Sequence, residues 1–426
     1  IGSGLVGSEM CIRDSCYSIN EIVKELTLGE IEILFIWRRQ MNQKKNYYIS
    51  AFILYLNYFI HGIGCSVLGQ VAVKETLVSQ WGISDIGKVT MVAAALGLGR
   101  LIALPFAGPL SDKLGRRIAS LIGILSYIIF FLGLAMSPNM TVAYIAAILG
   151  GIANSFLDTG VIPACVEILE PRSSMATMLT KFSMSCAQLL LPFMIGAIVA
   201  ANLSLNILLY VCGVAILVIG ILVLFIPLPE MKKVAKEKTS LIQDIKNANF
   251  SLKSFALILI GFTGTATFQL WLNCAQDFAK EYARIQDPSI MQTYYSMGSL
   301  AAIIVTTILV NKIKGVRFLV IYPALATIMI TVVYLLRTPS ICYVGAAVVG
   351  YTAGGVILQL VTATANDLFA EIKGTITSIV MIASSLSNYT ILSLAGTMDK
   401  ADILLMNIVI TVIGVILAVY VNFDRK

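Results

Sequence analysis

Residues 108–117 read Gly108-Pro109-Leu110-Ser111-Asp112-Lys113-Leu114-Gly115-Arg116-Arg117. The stretch is charged, short, and bounded by apolar runs near 86–107 and 118–136. A run of about 20 apolar residues is what a helix needs to cross a bilayer. Two such runs joined by so short a loop must turn back on each other, and Gly115 supplies the backbone freedom for the turn. The stretch therefore reads as a hairpin loop between two membrane spans.

The rest of the chain repeats the pattern. Of 426 residues, 58% are hydrophobic and 12% charged, with a mean hydropathy of +0.88. A soluble domain carries about 25% charged residues. The composition argues against a soluble enzyme, a disordered chain and a nucleic-acid binder. From Tyr47 onward twelve apolar runs, numbered spans 1 to 12, lie near 47–73, 86–107, 118–136, 140–165, 176–200, 205–226, 253–277, 291–310, 316–336, 340–364, 375–397 and 402–422. As buried helices of a soluble protein they would leave no polar surface.

Residues 1–40 are a different text. They have a negative balance, no run long enough to span, and none of the basic start, apolar centre and small-residue cleavage site of a signal peptide. Met41, followed by Asn42, Gln43, Lys44 and Lys45, looks like the natural start, and 1–40 is expected to be a non-native or disordered extension. The cysteines show no C-x-x-C and no metal-ligand spacing, and six of the eight sit inside apolar runs. They read as small buried hydrophobes.

Charge orients the spans. One set of loops and both chain ends hold Lys44, Lys45, Lys113, Arg116, Arg117, Arg172, the lysines of 232–253, Lys312, Lys314, Arg317, Lys373, Arg425 and Lys426. The other set holds only Lys74, Lys88, Lys280, Arg284, Arg337 and Lys400. Basic loops stay on the cytoplasmic side. Both termini are thus expected in the cytoplasm of a multi-pass cell-membrane protein, which requires an even number of spans. A polar, lysine-rich linker, 227–252, separates 41–226 from 253–426, six spans each. The halves echo each other at a shift of roughly 200 residues: 112–117 has a faded partner in 311–317, and Gln188 one in Asn388. Duplicated halves around a central site are a transporter signature.

The 108–117 loop resembles the G-x-L-x-D-x-x-G-R-R loop of the major facilitator superfamily, in the matching place between spans 2 and 3. The resemblance covers 41–426. It implies an all-α integral membrane protein of twelve transmembrane helices in two pseudo-symmetric six-helix bundles, working by alternating access. It also implies a cytoplasmic latch. Gly108 and Gly115 shape the loop. Asp112 meets the positive N-terminus of span 11 near Gly374 and Thr375. Arg116 and Arg117 then pair with carboxylates such as Glu167.

Ionisable residues at mid-membrane are costly, and they usually face a cavity with partners. Arg100 in span 2, Asp158 in span 4 and Lys181 in span 5 lie in one layer, roughly 8–12 Å from the inner face at 1.5 Å per residue. Asp158 is expected to pair with Arg100 or Lys181, either as a fixed ion pair or as a proton or substrate site. Asn154 shares its helix face at i, i+4. The segment Gly150-Gly151-Ile152-Ala153-Asn154-Ser155-Phe156-Leu157-Asp158-Thr159-Gly160 resembles span 4 of the fucose-permease-type sugar symporters. That family tends to carry an acid in span 1, where this chain has Asn57 and His61. His61, the only histidine, is a candidate for proton coupling.

Amides mark the expected cavity: Gln188 in span 5, Gln269, Asn273 and Gln276 as one stripe in span 7, Gln359 in span 10 and Asn388 in span 11. They suit a neutral sugar or polyol, or a small zwitterion. Arg100 and Lys181 keep an anion open. No Arg precedes Arg172 in span 4, and span 5 reads Leu191-Pro192-Phe193-Met194-Ile195-Gly196 without a Gly-Pro pair. Both features depart from the motifs of the superfamily's drug exporters, and uptake with protons (or Na⁺) is the favoured expectation. Export of drugs or hydrophobic metabolites into a Met- and Phe-lined pocket is the rival, and a channel or membrane enzyme a more distant one. No phosphate-binding loop, metal cluster or nucleophile–His–acid set appears, so no cofactor is expected. The expected partners are a small solute, the coupling ion and lipid, with no nucleic acid, for a monomer.

Overall fold

The computed structural model describes residues 28–170, 173–229, 250–310, 312–369 and 373–422. Residues 1–27, most of the expected extension, and 230–249, most of the expected linker, lie outside them. Among the described residues there is no strand. The first half is Leu28–Ser66 (span 1, in the membrane from Tyr47), Gly87–Leu114, Arg116–Ala135, Met140–Ile168, Ser173–Ala200 and Asn206–Phe225. The second is Leu252–Tyr282, Ile290–Leu309, Gly315–Leu336, Pro339–Leu368, Lys373–Ala395 and Lys400–Asn422. The helix of span 1 begins ahead of Met41.

Eleven of these helices are long and apolar enough to cross a membrane. The twelfth, span 8, has the same 20-residue length as spans 3 and 6 but a more polar start. Its Gln292, Ser296 and Ser299 are buried against protein, so the polarity costs nothing in contact with lipid.

Two spans are interrupted. Span 1 ends at Ser66 in one turn of 3-10 helix, Val67–Gly69. The chain extends at Gln70 and resumes as a short helix, Val71–Gln80. Span 10 is α-helical over Pro339–Val349 and Ile357–Leu368, with a π turn at Gly350–Gly354 between them. Tyr295 of span 8 packs directly on Gly350 and Gly354, where no β-carbon would fit.

Packing groups the helices by half. Span 4 lies against spans 2 and 3, span 3 against 6, and span 1 against 5 and 4. Span 12 lies against 7 and 9, span 7 against 10 and 11, and span 8 against 10. Between the halves, span 2 packs on span 11 and span 5 on span 8. Apolar side chains such as Leu125, Phe193, Val214, Ile304, Ile328 and Ile416 point outward, as lipid contact requires. The molecule has a loop end, which carries 108–117, and a far end opposite it.

Candidate transport site

The charged centre belongs to the first half. Asp158 on span 4 accepts from the Tyr58 hydroxyl on span 1 (Oδ1, 2.7 Å) and from Arg100 Nη2 on span 2 (Oδ2, 2.8 Å). The pair is shielded but not sealed: the Arg100 and Asp158 side chains are 19% and 27% exposed. Arg100 also reaches Met381 Sδ of span 11 at 3.5 Å, so the pair faces the other half. Its Nε is buried without an acceptor among the described residues. His61, one turn beyond Tyr58, is buried, and its Nδ1 hydrogen-bonds the Tyr127 hydroxyl of span 3. Its ring meets Tyr58 and Tyr127 edge-on, with centroids 5.5 and 5.7 Å apart. Asp158–Tyr58 and His61–Tyr127 are thus two hydrogen-bonded pairs on spans 1, 3 and 4, joined by the edge-on contact of Tyr58 with His61.

Lys181 is placed differently. It is partly buried in span 5 and makes no hydrogen bond or ion pair among the described residues, although the charges of Asp158 and Arg100 act on it. Of the two expected partners for Asp158, the structure uses Arg100. Asn154, partly buried one turn from Asp158, has no bonded partner among the described residues either.

The amides divide. Gln188 donates to Ser66 Oγ at 2.7 Å, at the break in span 1. Asn57 is fully buried and donates to Ile53 and Leu54 carbonyls of its own helix, leaving its Oδ1 without a donor among the described residues. Gln269 Oε1 accepts from Asn273 Nδ2 at 3.0 Å. Gln359 is partly buried and unbonded among the described residues. Asn388 faces Gly97 of span 2 across the interface between the halves, and its buried Oδ1 has no donor there.

Gln276 lies buried in the contact between the halves. Its Oε1 accepts from Val71 N at 3.2 Å and its Nε2 donates to Gln70 Oε1 at 3.2 Å, both across the two halves. Gln70 in turn donates to Gln292 of span 8 at 3.5 Å. The stripe 269–273–276 therefore runs from the centre into a far-end seal.

The heart of that seal is a residue whose place in the sequence suggests an exposed loop. Lys74 is 0% exposed. Its Nζ bonds Asp277 Oδ2 at 2.5 Å, the Asn273 carbonyl at 2.5 Å and Thr90 Oγ1 at 3.2 Å. The helix Val71–Gln80 carries it back into the interface rather than out to water. The one sequence signal for it is Asp277 at the end of an apolar run, a carboxylate in need of a cation. Backbones also meet here: Gly69 lies on the Leu272 carbonyl and Gly87 on the Gly396 carbonyl, leaving no space for a β-carbon. At the rim Glu75 pairs with Lys280.

The loop end is looser. Gly115 has φ +101°, a conformation that suits glycine, and Gly108 faces open space. Asp112 is 72% exposed and bonds Arg116 Nη1 at 2.8 Å within its own loop. Among the described residues it makes no bond to span 11. Arg116 also donates to Ser111 Oγ (2.9 Å) and lies 3.5 Å from Glu167. Arg117 does not meet a carboxylate among the described residues. It caps the end of span 6, donating to the carbonyls of Leu224 (3.1 Å) and Ile226 (2.6 Å), because those last-turn oxygens have no intrahelical donors.

The sequence pattern of the Major Facilitator Superfamily matches residues 54–389. The chain belongs to that superfamily. It is 31% identical over 355 residues to the inner membrane transport protein YdiN of Escherichia coli, covering 83% of this chain and 84% of that one. It is 31% identical over 389 residues to YfkL of Bacillus subtilis, an uncharacterised transporter of the same type, covering 88% and 96%. Among solved structures, a D-xylose–proton symporter matches with a TM-score of 0.69 at 17% identity, covering 88% of this chain and 97% of that one. At that identity the likeness is one of fold. The protein is accordingly a multi-pass membrane transporter and not an enzyme. The six described cysteines are free; Cys165, Cys212, Cys274 and Cys342 are buried as expected, Cys65 and Cys186 only partly so, and Cys11 and Cys16 lie outside the described residues.

Proposed function

We propose that this transporter moves a small polar solute by alternating access, in symport with protons. The observation that carries this reading is the asymmetry between the two ends. Between described residues, both ion pairs that cross the halves, Lys74–Asp277 and Glu75–Lys280, lie at the far end. At the loop end Asp112 is turned back on Arg116. With the basic loops on the cytoplasmic side, this is the form closed to the outside and parted toward the cytoplasm. In the opposite form Asp112 engages span 11, and the far-end seal comes apart.

Asp158 is the proposed proton acceptor. Arg100 bonds it in the present form, and Arg100 also touches Met381 of the other half. Rocking of the halves would draw the guanidinium away, and a shielded carboxylate that loses its cation binds a proton more readily. Tyr58 holds Asp158 in place, and the His61–Tyr127 pair lies against Tyr58. A proton entering down its concentration gradient can carry a solute with it, and a 100 mV potential adds about 2.3 kcal/mol for each net positive charge moved.

The test is uptake into proteoliposomes. Asp158→Asn is expected to abolish accumulation driven by an inward proton gradient while retaining solute exchange at equal concentrations. Accumulation driven equally well by Na⁺ alone would replace the proton. Expulsion of a preloaded hydrophobic dye, with no polar solute moved, would overturn the symporter in favour of export.

A further inference from the structure

The charges between the halves do not balance. Asp158 is the acid of the central layer, and both its oxygens are taken, one by Tyr58 and one by Arg100. Lys181 bonds neither oxygen and makes no hydrogen bond or ion pair among the described residues, although the Asp158 charge acts on it. Arg100 Nε is buried with no acceptor among the described residues, and the partly buried Asn154, whose amide can donate as well as accept, is unbonded there one turn from Asp158.

Lys181 also sits on the functional side of its helix. Lys181, Ser185 and Gln188 follow i, i+4, i+7 and share one face of span 5. Ser185 lies 3.5 Å from Ser299 of span 8, and Gln188 donates to Ser66 of span 1. The opposite face carries the exposed Phe182, Leu190 and Phe193. The lysine is thus turned toward the space between the halves and away from lipid. An ammonium at this depth with no hydrogen-bonded acid is costly, and an anion bound beside it offsets that cost.

We infer that the solute is a small organic anion, whose carboxylate or equivalent group is bound by Lys181 together with the free donor edge of Arg100. The inference rests on the transport reading above and narrows it from polar solutes in general to anionic ones. The ring of amides supplies hydrogen bonds to the rest of the molecule. A neutral sugar would leave the lysine without a bonded acid. A cationic solute would meet two like charges.

The experiment is thermal melting of the purified full-length protein against matched pairs that differ chiefly in the acid group: gluconate against sorbitol, lactate against 1,2-propanediol, benzoate against benzyl alcohol. A ligand bound only by the folded state raises the melting point. At least one acid is expected to raise it, with its neutral partner inert at the same concentration. Lys181→Met is expected to weaken that acid's binding by about tenfold or more, as loss of a charge-assisted bond does. Lys181→Arg, which keeps the charge, is expected to retain most of it. The proposal is overturned if the neutral members stabilise as well as the acids, if none of the acids stabilises, or if the acid's effect survives Lys181→Met. Proton-driven uptake of sorbitol would leave the transport reading standing while removing the anion. Dye expulsion without uptake of either class would remove both.

Discussion

The two ends of the molecule treat the same pair of bundles in opposite ways. At the far end a lysine with no solvent exposure ties the halves through Asp277 and the Asn273 carbonyl, and is steadied by Thr90 of its own half. Amides 70, 276 and 292 extend the network, and glycines bring backbone onto backbone. At the loop end Asp112 and Arg116 bond each other in water. Burial is what separates them. A buried ion pair loses its hydration and becomes strongly dependent on its partner, whereas an exposed pair gains little and is easily exchanged. A transporter that must open at alternating ends can use the first kind of contact as the present lock, and keep the second kind as groups ready to make a lock later.

The largest effect should come from removing the buried cation. Lys74→Met strands Asp277 and is expected to weaken the far-end seal by about 3–5 kcal/mol, the cost of an uncompensated buried charge. A lower melting point, together with faster thiol labelling of a cysteine introduced at Gln276, would register it. The double variant Lys74→Met, Asp277→Leu should recover much of the loss. If the single variant melted like the wild type with unchanged labelling, the far end would not be the lock.

Asp112→Asn sharpens the comparison from the other side. Its bond in this form is exposed, so melting should move by less than about 1 kcal/mol. Transport should nevertheless fall severalfold, because the form that uses Asp112 against span 11 is lost. Exchange and net uptake assays on the same preparation separate these outcomes. A large drop in stability with unaltered transport would reverse the assignment.

The smallest effect is expected at the far-end rim. Glu75 and Lys280 are 47% and 41% exposed, so Glu75→Gln should change melting by about 0–1 kcal/mol, less in high salt. An effect as large as that of Lys74→Met would mean that the rim, not the buried pair, holds the halves.

The hydrophobic runs alone identify the spans, because twenty apolar residues in succession have no stable place except across a bilayer. The 108–117 loop settles their arrangement. Even span 8, whose polar start leaves it marginal by hydropathy, is recognisable from its length and flanks. Asp158 is legible from depth as half of an ion pair, but Arg100 and Lys181 lie at the same level and the sequence does not choose between them. Lys74 is not legible, because a lysine just past an apolar run reads as a loop until the chain is seen to turn inward at Gln70. Arg117 is not legible either, since its acceptors are backbone carbonyls and carry no sequence mark.

The sequence by itself therefore determined that this is a twelve-span chain in two related halves, with a few costly polar residues at mid-membrane. Composition, periodicity and charge asymmetry respond to the solvent each residue meets, and lipid and water differ enough to sort them. Only the tertiary structure decided which polar groups meet across the halves. It placed Lys74 and Gln276 in a seal, gave Asp158 to Arg100, and left Lys181 without a bond among the described residues. Those outcomes depend on angles and distances of a few ångströms between distant segments, and hydrogen bonds and ion pairs form or fail at that scale.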